Sequence, residues 1–285
     1  MAASDPTDRY VNRQVHEPGS LRRGLALLSC LGREGRPIGL SELAAVSGLD
    51  KATVHRLART LVESGYLTQD PDTRSYSLGL RVLDLGFATL ATLDVRQLAL
   101  PYMRALAGQF DRASVSMSVL DGTDAIYIER ISQRRISVNV DVQVGSRIPA
   151  HCTSMGKALL AALPVAESRA LIRQRPLEAW TSRTLTSVTR LEAELKHVRS
   201  VGYAVNDEET ALGLRSLAAA VRDADGRPAA ALNVAMAAAE VSLSELVDAV
   251  APAVVEAAAN ISRHLGLSGA AAAGDSQQRA EAVAR

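Results

Sequence analysis

The chain has 285 residues, of which 47% are apolar and only 3% aromatic, and its formal charge is +1. That length allows one large domain or two ordinary ones, with a core built from Leu, Val, Ile and Ala. The near-neutral balance excludes a strongly basic chain throughout, but two domains can dilute a local basic patch.

Two cysteines, Cys30 and Cys152, sit in no metal-ligand spacing and read as buried free thiols of a reducing cytoplasm. No apolar run reaches the ~20 residues of a membrane span, and the N-terminus lacks the apolar segment of a signal peptide. The expectation is a soluble cytoplasmic protein with no membrane contact, no metal and no cofactor.

Residues 1–18 are polar, contain Pro6 and Pro18, and read as a flexible arm. Leu21, Leu25, Leu28 and Leu31 recur at helical spacing and predict a first helix that ends near Gly32. After a link containing Pro37, the stretch LSELAAVSGLDKATVHRLARTLVESGY (Leu40–Tyr66) reads as two short helices joined by a tight turn. Ser41 is expected to cap the first, Gly48 to supply the left-handed turn residue, and Asp50 to cap the second. Val54, Leu57, Ala58 and Leu61 should then face inward. Lys51, Ala52, Thr53, His55, Arg56 and Arg59 fall on the other faces, and a small, polar, cationic front suits a major groove. Ser20–Tyr66 holds seven Arg and Lys against four acids, a local net of +3.

Tyr66–Thr68 and Ser75–Leu78 predict a hairpin around the turn Asp70-Pro71-Asp72. A hairpin directly after a helix-turn-helix is a wing. Arg74 near its tip is a candidate phosphate or minor-groove contact, or the hairpin simply closes the small domain. Leu80–Leu93 is apolar at helical spacing, and its excess of Leu favours a dimerisation element over a plain linker. The DNA-contact candidates are therefore Ser41, Lys51, Ala52, Thr53, His55, Arg56, Arg59 and Arg74.

From Asp94 to Gly266 the texture is α+β. Val95–Phe110 predicts a helix, kinked or divided at Pro101. Ala113–Leu120 and Ala125–Ile131 predict a hairpin about Asp121-Gly122, and Ile136–Val144 a third strand. Ser154–Leu163, Val165–Arg173 and Val188–Val201 read as helices. Tyr203–Val205, Leu217–Asp223 and Pro228–Met236 read as strands, and a final helix, capped by Ser242, runs to about Leu265 past Pro252. Grouped strands with flanking helices imply a central antiparallel sheet. Residues 267–285 read as a disordered tail.

No enzyme constellation emerges. The Gly-Lys pair at Gly156 lacks the glycine that a phosphate-binding loop needs, because His151 stands there. No Gly-x-Ser-x-Gly elbow occurs. His151-Cys152 are neighbours in sequence and so poorly placed to face one another as a dyad. Asp207-Glu208-Glu209 read as solvated loop charges, with a metal site as the alternative. The loop Gly145–Gly156 opens a helix at Ser154, Met155 and Gly156, whose free N–H groups and dipole suit a carboxylate. Asn233 interrupts the apolar run ALNVAM. It is either satisfied internally or a specificity group of a small-molecule pocket.

In combination, SLRRGLALLSCL, the helix-turn-helix, YSLGLRVLDLG, RIPAHCTSMGKALLA, GYAVNDEETALGLRSLAA and the D-x-D-G turn at Asp223 resemble the IclR family of bacterial transcriptional regulators, over about Ser20–Leu265. VGSRIPAHCTSMGKALLA is most similar to the branch controlling aromatic-acid catabolism through the β-ketoadipate pathway, the protocatechuate and 4-hydroxybenzoate regulators. The resemblance implies a winged helix-turn-helix at 19–79, a linker helix at 80–93 and a GAF-like effector domain at 94–266. It further implies a palindromic double-stranded DNA operator, a dimer or dimer of dimers, RNA polymerase as a further partner, and a small organic acid as effector. Carried over by position, the pocket would be lined by Ile148, Cys152, Ser154, Met155, Asn206, Leu214, Ser216, Asn233 and Ala235. Asn206 stands where some members have Asp, and Asn233 and Ala235 where a glyoxylate-type member has small hydroxyls. These departures favour a larger, less polar ligand, an aromatic acid or its ring-cleavage product. A regulator of glyoxylate, acetate or sugar-acid metabolism is the second reading, and an enzyme the third.

Overall fold

The computed structural model describes residues 19–132 and 142–266. The chain divides between Thr92 and Leu93 into two compact units.

The first unit begins with α1 (Ser20–Glu34), which ends on Gly35 in the left-handed conformation (φ 62°). Its inward stripe is Gly24, Leu27, Cys30 and Leu31, whereas Leu21 and Leu25 are 75% and 56% exposed. The expected Leu21–Leu25–Leu28–Leu31 stripe is thus corrected: it sits partly off the face that α2 and α3 cover. α2 (Leu40–Ser47) is entered through Gly39 in an extended conformation with no side-chain cap. Ser41 lies inside the first turn and caps nothing. Gly48 does turn the chain at φ 67°, and the Asp50 side chain accepts the Thr53 N–H at 2.9 Å to start α3 (Lys51–Glu63). Val54, Leu57 and Ala58 are buried, and Leu61 only partly so. They meet Leu27, Leu43, Leu67 and Tyr76 in one small core, where each Val or Leu contributes about 1.5–3 kcal/mol.

The hairpin β1 (Leu67–Gln69) and β2 (Tyr76–Leu78) follows. Ile38, in the link after α1, exchanges both backbone hydrogen bonds with Tyr76 and adds a third edge to it. α4 (Arg81–Ala91) completes the unit without burying any residue. Its start is held by Arg81, which donates to the Ser64 carbonyl at 2.9 Å and stacks over Tyr66.

The second unit is built on a six-stranded antiparallel sheet of order β5-β4-β3-β8-β7-β6. α5 (Asp94–Gln109) is one helix that contains Pro101. It leads into β3 (Ser114–Asp121) and β4 (Asp124–Ser132). The strand expected at 136–144 falls largely on residues outside those described, and Val142 and Gln143 carry no strand. Among the described residues, a third strand of this half is β5 (Arg147–Pro149), paired to β4 inside what reads as a loop in the sequence. A 3-10 turn, Ala150–Cys152, precedes α6 (Ser154–Ala162). Then come α7 (Val165–Ile172), α8 (Val188–Val201), β6 (Ala204–Asp207), β7 (Leu214–Arg222) and β8 (Pro228–Ala237). Ser242 and Glu245 form a capping box that opens α9 (Leu243–Glu245). A π-helical turn, Leu246–Val250, joins it to α10 (Ala251–His264), with Pro252 in the first turn of α10.

Alternation along β7 and β8 sets the layers. Leu217, Ala219 and Val221, with Ala230, Leu232 and Val234, are buried on the face toward α10. The opposite face carries smaller residues: Ala218 and Ala231 join Met155, Leu159, Leu191 and Leu195 of α6 and α8 in a second core. Gly156 lets the Ala150–Cys152 turn pack closely on α6, because a Cβ there would lie 2.3 Å from Ala150.

Candidate functional site

In the first unit, Lys51, Ala52, His55, Arg56 and Arg59 are all exposed on α3, and Thr53 partly so. Arg59 reaches Glu63 one turn later at 3.7 Å, with both side chains 67% exposed, a contact weak enough to yield to a phosphate. Ser41 and Arg74 are exposed as well. The wing loop is tied by Asp70, whose side chain accepts the Asp72 and Thr73 N–H groups at 3.0 and 2.7 Å. These donors hold its carboxyl below the usual carboxylate range. Arg74 adopts a left-handed backbone (φ 58°) at the tip.

In the second unit a cavity opens on the α6 face of the sheet. Seven of the nine sequence-predicted pocket residues line it: Ile148, Ser154, Asn206, Leu214, Ser216, Asn233 and Ala235. Cys152 and Met155 do not. Both are fully buried in the core behind the wall, and burial pushes the Cys152 thiol up to about 12. The residues that sequence reasoning missed are Ser116, Tyr127, Arg130, Val142, Thr153 and Thr210. A signal for the first was present: SVSMS alternates small hydroxyls with apolar residues, which marks a polar inward face.

The walls are interlocked. Thr153 caps α6 by accepting the Gly156 N–H at 2.9 Å, so the Ser154 and Met155 amides are the remaining first-turn donors. The hydroxyls of Ser154 and Ser216 lie 2.7 Å apart. Asn206 accepts the Glu209 N–H at 2.7 Å and donates to Thr210 Oγ1 at 3.0 Å. Thr210 in turn donates to the Cys152 carbonyl at 2.6 Å. Asn233 Oδ1 accepts the Ser116 N–H at 3.1 Å, which leaves its amide N–H groups for the cavity. The atom-free space is about 510 Å³ counted to the mouth.

The acidic run behind this wall is not solvated, as the sequence had suggested. Asp207 pairs with Arg183 at 2.7 Å and with Arg215 at 2.6 Å, and Glu208 with Arg183 at 3.4 Å. Glu209 is buried against Lys157, itself 1% exposed, which also reaches Glu194 at 3.4 Å. Lys157 is therefore a buried strut between α6, α8 and the β6–β7 loop. Among the described residues no group of three or more His, Cys, Asp or Glu is arranged to hold a metal. No described helix is long and apolar enough to cross a membrane.

Residues 20–71 match the IclR helix-turn-helix domain, and residues 87–263 match the bacterial transcriptional regulator IclR C-terminal domain. The chain belongs to the IclR family. It is a DNA-binding transcriptional regulator with an effector domain, and its relatives are regulators rather than enzymes. It is 37% identical over 246 residues to the Pca regulon regulatory protein of Pseudomonas putida, covering 86% of this chain and 84% of that one. A crystal structure of a transcriptional regulator from Rhodococcus sp. RHA1 superposes with TM-score 0.75 at 36% identity, covering 87% of this chain and 98% of that one. The fold is also that of an IclR homologue from Microbacterium hydrocarbonoxydans crystallised with 4-hydroxybenzoate, with TM-score 0.73, 24% identity and 87% and 99% coverage.

Proposed function

We propose that this IclR-family chain regulates aromatic-acid catabolism and that the second unit's cavity takes an aromatic acid or its ring-cleavage product as effector. The observation that carries this is the cavity itself. It sets the N-terminus of α6 and the hydroxyls of Ser154 and Ser216 beside the apolar walls Ile148, Leu214 and Ala235. The helix-start amides receive a carboxylate, and the apolar walls receive a ring or carbon chain. Similarity to the Pca regulon regulatory protein, and the 4-hydroxybenzoate bound by the homologue from Microbacterium, support the same ligand class. Ligand in the cavity favours one of two states that differ in affinity for operator.

In this reading Lys51, Ala52, Thr53, His55, Arg56 and Arg59 face the major groove of a palindromic operator, Ser41 stands beside them, and Arg74 contacts the flanking backbone. Two copies dimerise through α4. Leu80, Leu83 and Phe87 form a stripe that is 81%, 51% and 64% exposed in the single chain, as an unpartnered interface helix would be. The operator complex then presents the dimer to RNA polymerase.

A thermal-shift screen with protocatechuate, 4-hydroxybenzoate, β-ketoadipate, catechol-pathway acids and glyoxylate tests the ligand class. A ligand at 100 times its Kd adds about 2.7 kcal/mol, so binding is visible as a raised midpoint. Stabilisation by glyoxylate alone would overturn the aromatic-acid reading.

A further inference from the structure

Arg130 is the one charged side chain among the described residues that line the cavity. Its acidic neighbour is engaged elsewhere: Glu129 pairs with Arg96 at 2.8 Å through Oε2, and its Oε1 accepts only the Arg130 backbone N–H, at 3.0 Å. The Arg130 guanidinium has no carboxylate partner among the described residues. A partly buried guanidinium without a described carboxylate beside it, set among hydroxyls and a carboxamide, is a fork of donors waiting for an oxyanion.

Its presence in the cavity depends on a local irregularity in β4. Residues 127 and 130 are an odd number apart and would face opposite sides of a regular strand. The register slips between Met117 and Ser118, so that Met117 faces Glu129 while Ser118 faces Tyr127. Ile128 is the extra residue of a bulge, and both Tyr127 and Arg130 consequently line the cavity. The Arg130 charge acts on the Tyr127 hydroxyl, partly opposing the rise in pKa that burial imposes there.

Arg130 also lies at a distance from the helix-start amides. It pairs with Ser116 on β3, which pairs with Asn233 on β8, whereas Ser154 is tied to Ser216 on β7. Three strand spacings, about 14 Å, separate β4 from β7. The cavity therefore has two anion-favouring ends, with Ser116 and Asn233 on the two strands between them.

We propose that Arg130 binds a second oxygen-bearing group of the effector, opposite the α6 end, so that the cavity selects acids polar at both ends over simple monoacids. Carboxylate is the strongest match, because its two oxygens meet the guanidinium fork together. This rests on the effector-cavity reading above.

Calorimetric titration of the full chain tests it with two ligand pairs that differ only in the second polar group: β-ketoadipate against levulinate, and 4-hydroxybenzoate against benzoate. The wild type is expected to favour the two-ended member of each pair. Arg130→Gln should weaken that member by about 10- to 100-fold, the loss of a charged hydrogen bond, and leave the one-ended member unchanged. Arg130→Lys should restore part of the preference. The unliganded melting midpoint of Arg130→Gln should stay at the wild-type value, since the guanidinium holds no carboxylate among the described residues. A folded Arg130→Gln that keeps the two-ended preference would overturn this inference alone. A wild type that binds none of the four acids would overturn the effector-cavity reading, and this inference with it.

Discussion

The hydroxyl of Ser154 lies 2.7 Å from that of Ser216, joining the first residue of α6 to strand β7 across 62 positions of chain. This contact fixes where the helix dipole points relative to the cavity. Ser216→Ala removes one buried hydrogen bond and leaves Ser154 without its partner, at a cost of about 1 kcal/mol. For a domain of this size the melting midpoint should fall by about 2–4 °C. A scanning-calorimetry trace unchanged from wild type would show that the contact contributes nothing.

Asn233 does two things at once. Its oxygen holds the Ser116 N–H, and its nitrogen is left to the cavity. Asn233→Leu should destabilise the second unit by about 1–3 kcal/mol, because a buried backbone donor loses its acceptor. Operator binding should survive while the response to effector disappears. Fluorescence anisotropy on operator DNA, with and without ligand, reads both; a normal dose–response would remove Asn233 from the pocket.

The buried pair Lys157–Glu209 predicts a pH dependence. Burial raises the Glu209 pKa above its ordinary 4.5, more than the Lys157 charge lowers it. Between the unfolded and folded values the native state holds a proton that the unfolded chain has released. Stability therefore falls as pH rises through that window. Glu209→Gln cannot titrate, so the difference in melting midpoint should move in favour of the variant as pH rises. Movement in the other direction would mean that pairing with Lys157 outweighs desolvation.

Arg56 is exposed on α3 with no side-chain partner among the described residues. Arg56→Ala should weaken operator binding by about 1–3 kcal/mol where it reads a base edge. Unchanged affinity in a low-salt gel shift would exclude it from the reading set.

Much of the fold is written locally. Asp50 capping Thr53, Gly48 turning between helices, the hairpin about Gly122, and the capping box at Ser242 each act within three or four residues, which is the range that periodicity and turn chemistry report. The same locality explains the errors. Ser41 has the right residue type for a cap, but Gly39 already provides the extended entry to α2. Strand β5 is three residues long and pairs only with β4, too short for alternation to declare it.

By itself the sequence determined the winged helix-turn-helix and the α+β character of the second unit, and resemblance to a family whose motifs stand in this chain pointed to seven of the residues that line the cavity. Only the tertiary structure decided which polar residues share the cavity. Ser116 meets Asn233 across 117 positions and Thr210 meets the Cys152 carbonyl across 58, separations at which no sequence period survives. It also decided that Arg130 joins them, because a single bulged residue in β4 changes the face on which every later side chain of that strand falls.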